Sequence, residues 1–145
     1  MSESSQRTQL LKALGNTLLD GSATERERQN AKRALGRMAS EPVLTQLALK
    51  ALSADSEAML LDVLDVLEQR PTLGETEPAL LGFLFDASPQ VRQRVLHLLG
   101  ARGTPRALRT LDSIIETAAG QEAIFTEADL LAAQRARRSI QRRAA

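Results

Sequence analysis

Apolar residues recur along this chain at the spacing of one face of an α-helix. In FLFDASPQVRQRVLHLL, residues 83–99, one such stripe is formed by Val91, Val95, Leu98 and Leu99. The strict alternation of apolar and polar residues that is typical of strands occurs nowhere in the sequence. The pattern therefore predicts an all-α protein.

Proline residues and turn sequences set the expected helix ends. Pro42, Pro78 and Pro105 each follow Glu or Thr, and proline at the first helical position has its φ angle already fixed. Thr104 is a suitable cap for the helix that begins at Pro105. We expect about eight helices in four antiparallel pairs, at 5–19 with 24–38, 42–53 with 56–69, 78–86 with 89–101, and 105–118 with 127–143.

Three segments of the chain are similar to one another at an interval of 32 residues: TERERQNAKRALG (24–36), SEAMLLDVLDVLE (56–68) and SPQVRQRVLHLLG (88–100). Each opens with Ser or Thr and then carries apolar residues at matching helical positions. The final helix begins at Thr126, and Asp129 three residues later can complete a capping box. Because one helix pair cannot bury its apolar face alone, we expect the pairs to stack into a short superhelix.

The third similar segment also carries a pair of opposite charges. Asp86 ends one predicted helix and Arg92 lies in the first turns of the next, so each charge can satisfy the other. The segment DASPQVR followed by VLHLLG resembles the HEAT-repeat family, whose second helices commonly begin this way. The resemblance implies a HEAT-like α-solenoid in a single domain, residues 1–145, that acts as a scaffold. We expect residues 1–4 and the last few residues to be mobile.

The composition offers no set of catalytic or metal-binding residues. Cysteine is absent and His97 is the only histidine, so the common ligands of a transition metal are lacking. Asp62 and Asp65 stand on one predicted helix, whereas paired acid and base catalysis needs carboxylates that converge on a substrate from opposite sides. The segment LLGARGTP lacks the ending of a phosphate-binding loop. We therefore expect no enzyme activity, no catalytic residue, no metal and no cofactor.

The most apolar segment is PALLGFLF, residues 78–85, which is far shorter than the roughly 20 residues that a membrane span needs. The N-terminal residues MSESSQRTQ lack the apolar run of a signal peptide. We expect a cytoplasmic protein that does not associate with a membrane. A helix that is apolar all round is normally buried on every side, but an exposed Phe83 or Phe85 would instead form a patch for a partner or for self-association.

Charge is distributed unevenly along the chain. Residues 51–90 carry eight acidic residues against Arg70, and residues 91–145 carry ten arginines against five acidic residues. In HEAT-like stacks the second helix of each pair usually lines the concave side, so we expect partner-binding residues there. The candidates are an acidic group and a basic group: Glu57, Leu61, Asp62, Asp65 and Glu68; and Arg94, His97, Leu131, Arg135, Arg138 and Arg142.

Two functions remain open on these residues. The first is a non-enzymatic scaffold or adaptor that binds a partner protein, with Leu61 and Leu131 as apolar anchors and the charges steering the encounter. The second is a nucleic-acid-associated protein that uses the arginine-rich helices, although the acidic middle interrupts a continuous phosphate track. For the first function, reversing Asp62 and Asp65 to Lys should weaken partner capture without unfolding the domain.

Overall fold

The computed structural model describes residues 3–53, 56–86, 88–120 and 124–144. Within these ranges the chain forms eight α-helices and no strand, so the predicted all-α class is confirmed. The helices are α1 (Glu3–Leu19), α2 (Glu25–Met38), α3 (Glu41–Ser53), α4 (Glu57–Glu68), α5 (Thr76–Asp86), α6 (Pro89–Arg102), α7 (Leu108–Ala119) and α8 (Glu127–Ala144). Their ends lie within two residues of the predicted ones, except that a 3₁₀ turn, Pro105–Ala107, precedes α7.

The chain divides into two compact units, Met1–Pro71 with α1 to α4 and Thr72–Ala145 with α5 to α8. The division falls within the predicted turn QRPTLGET. The single domain expected from the sequence stays a prediction. Of the termini expected to be mobile, residues 1, 2 and 145 lie outside the described residues, and α1 already begins at Glu3.

Ser and Thr side chains start four of the helices. The hydroxyl oxygens of Thr24, Ser56 and Ser88 each accept a hydrogen bond from the backbone N–H three residues later, which satisfies a donor that the helix itself leaves unpaired. At α8 the predicted capping box is confirmed: Thr126 N donates to Asp129 Oδ2 at 2.9 Å, and Asp129 N donates to Thr126 Oγ1 at 3.1 Å. The 32-residue similarity therefore places equivalent caps on α2, α4 and α6.

Thr104 does not cap a helix as predicted. Its side chain makes no capping bond. Its N and its Oγ1 instead donate to Glu77, with distances of 2.6 Å to Oε1 and 2.6 Å to Oε2. Glu77 is fully buried, and a buried carboxylate needs such donors. This contact ties the start of α5 to the segment before α7.

In the first unit, α2 packs against both α1 and α4, and α3 packs against α4. Leu18, Leu35, Ala48 and Leu67 are almost completely buried in the core of this unit. In the second unit, α6 packs against α5 and α8, and α8 also packs against α7. The core of this unit includes Leu84, Val95, Leu99, Leu111, Ile114 and Ile140.

The apolar helix α5 is not buried on every side. Leu80 and Leu84 are fully buried, but Phe85 is 46% exposed. The ring of Phe85 lies edge-on to the ring of Phe125, with 5.7 Å between the centroids. The Phe83 side chain lies outside the described residues. Self-association through this helix stays a prediction.

Candidate functional site

Asp62, which the sequence places on an exposed acidic surface, is buried in the first unit. Its side chain accepts hydrogen bonds from Arg28 Nη2 at 2.6 Å and Lys32 Nζ at 3.0 Å, and only 6% of the residue is exposed. Lys32 Nζ also donates to Asp65 Oδ2 at 2.8 Å. The predicted role of Asp62 as an exposed partner-binding residue is therefore wrong, because α2 packs over that side of α4.

The rest of the acidic candidate group is only partly accessible. Glu57 is exposed, whereas Leu61, Asp65 and Glu68 are half-buried. Since Asp62 and Asp65 meet two cations, α4 does not present the continuous acidic stripe that its sequence suggests. We call Arg28, Lys32, Asp62 and Asp65 the ion cluster of the first unit.

The ion cluster changes the titration of Lys32. Burial disfavours the charged ammonium, but its hydrogen bonds to Asp65 and Asp62 outweigh burial and raise the pKa of Lys32 above its ordinary value. The ammonium therefore remains charged at neutral pH, as the paired carboxylates require. This cluster stabilises the contact between α2 and α4.

A second buried ion pair joins α6 to α8. Arg92 Nη1 lies 2.6 Å from Asp129 Oδ2, and Arg92 Nε donates to the Leu84 carbonyl oxygen at 2.9 Å. Gln93 Nε2 donates to the other carboxylate oxygen of Asp129 at 2.5 Å. The guanidinium carbon of Arg92 also lies 4.8 Å from the ring centroid of Phe125, within the range of a cation–π contact.

The predicted contact between Asp86 and Arg92 stays a prediction, because the Asp86 side chain lies outside the described residues. The sequence does indicate that Arg92 is packed and paired, and the structure shows it 5% exposed. What the sequence did not indicate is its partner Asp129, which stands 37 residues later. Asp129 was recognised only as a helix cap.

Asp129 holds its charge in a fully buried position. Burial raises the pKa of a carboxyl group, but the hydrogen bonds from the Thr126 backbone, Arg92 and Gln93 outweigh burial and lower the pKa of Asp129. The residue therefore serves two structural purposes, as the cap of α8 and as the counter-ion of Arg92.

The basic candidates on α8 remain accessible. Leu131 is 47% exposed, and Arg135, Arg138 and Arg142 are exposed. Their spacing places all four side chains on one side of the helix, and we call them the basic face. The structure assigns these three arginines no hydrogen bond or ion pair to any residue that it describes.

The neighbouring arginines of α8 are engaged within the second unit. Arg137 Nε lies 3.0 Å from Asp112 Oδ1. Arg143 donates to the carbonyl oxygens of Gly100 and Gly103, at 2.5 and 2.8 Å. The arginines of α8 therefore divide into two that stabilise the fold and three that point away from it.

A groove of about 470 Å³ runs between α6 and α8, beside the basic face. It brings together two predicted residues, His97 and Arg135. The remaining lining residues are Gln93, Leu96, Gly100, Ala101, Ala132, Ala136 and Ser139. Small residues let the helices come close here, since a β-carbon at Gly100 would lie 3.3 Å from Ala136 Cα. The candidate Arg94 is half-buried on α6.

No family model matches the chain, and no curated protein or solved structure is significantly similar to it. Across the described ranges, none of the helices combines the length and the apolar character that a membrane span requires. The same residues contain no group of three or more acidic or histidine side chains placed to hold a metal ion.

Proposed function

We propose that this chain is a HEAT-like helical-repeat protein that acts as a non-enzymatic scaffold or adaptor and binds an acidic segment of a partner protein. The observation that carries the proposal is the basic face on α8, with three uncommitted guanidiniums beside an exposed Leu131 and an accessible groove. Arginine suits this task because its planar donors can bind carboxylates in pairs.

Recurring contacts within the two units support the repeat architecture. Arg28 and Arg92 stand 64 residues apart, which is twice the interval of the sequence similarity. Each follows the cap of its helix by four residues and pairs with an aspartate on another helix of its unit, Asp62 or Asp129. A pair of opposite charges at equivalent positions favours two units derived from one helical module.

The other end of the same helices shows a matching contact. Arg70 Nη1, just after α4, donates to the Gly36 carbonyl oxygen at 3.2 Å. Arg143, at the end of α8, donates to the carbonyl oxygen of Gly100, which is 64 residues after Gly36. Guanidinium groups near a helix C-terminus satisfy its unpaired carbonyl oxygens. We infer stacked helix pairs from these matching contacts and from the resemblance to HEAT repeats.

The apolar part of the surface favours a protein partner over nucleic acid. Leu131 and the groove residues Leu96, Ala132 and Ala136 could receive an apolar side chain, whereas a phosphate backbone has none to offer. The arginines from 135 to 142 span only about 10 Å of helix, so they can contact few phosphates. Three such contacts would give a salt dependence with a slope of about −3.

Matched variants test this proposal. We expect the triple variant R135Q/R138Q/R142Q to lose about tenfold or more in partner capture from the native host at physiological salt, because each bond to a charged group contributes about 1 kcal/mol or more. The triple variant R26Q/R33Q/R37Q removes the same charge from exposed positions on α2 and should capture the partner as the wild type does. Capture that nuclease treatment abolishes would favour the nucleic-acid alternative. Equal capture by the two triple variants would contradict the assignment to α8.

A further inference from the structure

The first unit contains an apolar cleft between α1 and α3 that none of the preceding contacts uses. Its volume is about 320 Å³. Leu11 on α1 and Leu47 on α3 form its walls, and both are 5% exposed. Leu35 of α2 also lines the cleft and is fully buried. The cleft therefore reaches past two helices to a third and is deeper than a surface between neighbouring side chains.

The charges around the cleft have one sign. Lys12 on α1 and Lys50 on α3 are both exposed, and they are the only charged side chains among the described residues that line it. Asn16 and Gln46 add neutral polar groups at the same cleft. An apolar interior with a few convergent polar groups is the usual construction of a small-molecule site. The lysines select an anionic group at the opening.

The size of the cleft limits the ligand. A dry protein cavity of about 150 Å³ accepts benzene, which has six carbon atoms. The cleft has about twice that volume, so it can hold roughly a dozen carbon atoms. A chain of this length with one carboxylate matches both the apolar walls and the cationic edge.

We propose that the cleft between α1 and α3 binds a medium-chain aliphatic carboxylate of about eight to twelve carbon atoms. The chain lies against Leu11, Leu35 and Leu47, and the carboxylate lies at Lys12 or Lys50. This site is on a different unit from the basic face of α8, so the inference does not depend on the proposed function.

Gly15 provides a way to close the cleft without disturbing the core. A β-carbon at Gly15 would lie 3.5 Å from Leu47 Cδ1, which is an ordinary van der Waals contact. Gly15 lines the cleft, so a longer side chain at this position would occupy space that the aliphatic chain needs. Leucine also has a higher helix propensity than glycine, and we expect G15L to remain folded.

Calorimetric titration with sodium decanoate, below the concentration at which it forms micelles, tests the site. Saturable binding of one decanoate per chain is expected for the wild type, with weaker binding of decylammonium. G15L should lose binding while its melting temperature stays the same or rises. K12Q/K50Q should bind decanoate about three- to tenfold more weakly, since exposed ion pairs contribute little each, and should bind decanol as the wild type does.

The variant R26Q/R33Q is the matched control, because it removes two charges from exposed positions on α2 of the same unit. It should bind decanoate like the wild type. The inference is overturned if decanoate does not saturate the wild type, if folded G15L binds it undiminished, or if R26Q/R33Q weakens binding as much as K12Q/K50Q.

Discussion

Replacing Arg92 by methionine is expected to lower the free energy of unfolding by about 3–5 kcal/mol, the usual cost of leaving a buried charge without its partner. Methionine retains much of the apolar stem, so lost packing contributes little. Asp129 would keep its bonds from Thr126 and Gln93 but lose the guanidinium 2.6 Å away. The Leu84 carbonyl oxygen would also lose its donor. Urea denaturation followed by circular dichroism measures the effect.

R109M is the matched control for R92M. Arg109 is exposed on α7 of the same unit, and surface substitutions usually change stability by less than about 0.5 kcal/mol. Adding D129N to R92M should restore part of the loss, because asparagine can still cap α8 but carries no buried charge. Equal stabilities of R92M and R109M would show that the ion pair does not stabilise the fold.

The ion pair of Arg92 and Asp129 also gives a dependence on pH. Its contacts lower the pKa of Asp129 in the folded protein, so the stabilisation by this carboxylate is complete above its unfolded pKa, near 3.9. The stabilisation is lost as the pH falls through the lower, folded pKa. We expect the stability of R92M to fall less steeply than that of the wild type as the medium is acidified below about pH 4.

The second large effect is expected at Asp62. The variant D62K would place a third cation beside Arg28 and Lys32 and remove the carboxylate that both contact. We expect it to lower the free energy of unfolding by about 3–5 kcal/mol, since the cations would be left poorly paired. The sequence alone suggested that this reversal would spare the fold, and the burial of Asp62 reverses that expectation.

E57K is the matched control for D62K. Glu57 is exposed in the first turn of the same helix, so the reversal costs only the favourable interaction with the helix N-terminus, about 0.3–1 kcal/mol. Thermal unfolding of both variants, followed at 222 nm, separates the two cases. A D62K protein that melts at the same temperature as E57K would contradict a stabilising role of the ion cluster.

The helices and their ends could be predicted because their signals are local. Thr126 and Asp129 stand three residues apart in the sequence and meet within one helical turn. The side of α8 that carries Arg135, Arg138 and Arg142 follows equally from helical spacing. Such features depend on the geometry of a single helix, which the sequence pattern reports directly.

The ion pairs could not be predicted because they depend on which helices pack together. The pairs of Arg28 with Asp62 and of Arg92 with Asp129 join residues 34 and 37 positions apart. Helical spacing places Asp62 away from the apolar stripe of α4, and only the position of α2 buries it. The groove beside the basic face likewise depends on how closely α6 and α8 approach at Gly100.

The most direct test of the proposed binding surface is hydrogen–deuterium exchange of the chain with and without its captured protein partner. We expect the partner to slow backbone exchange in α8 and in the groove-lining part of α6, around His97, while exchange in α4 stays unchanged. Protection of α4 around Glu57 and Glu68, with α8 exchanging as in the free chain, would contradict the assignment of the partner to the basic face.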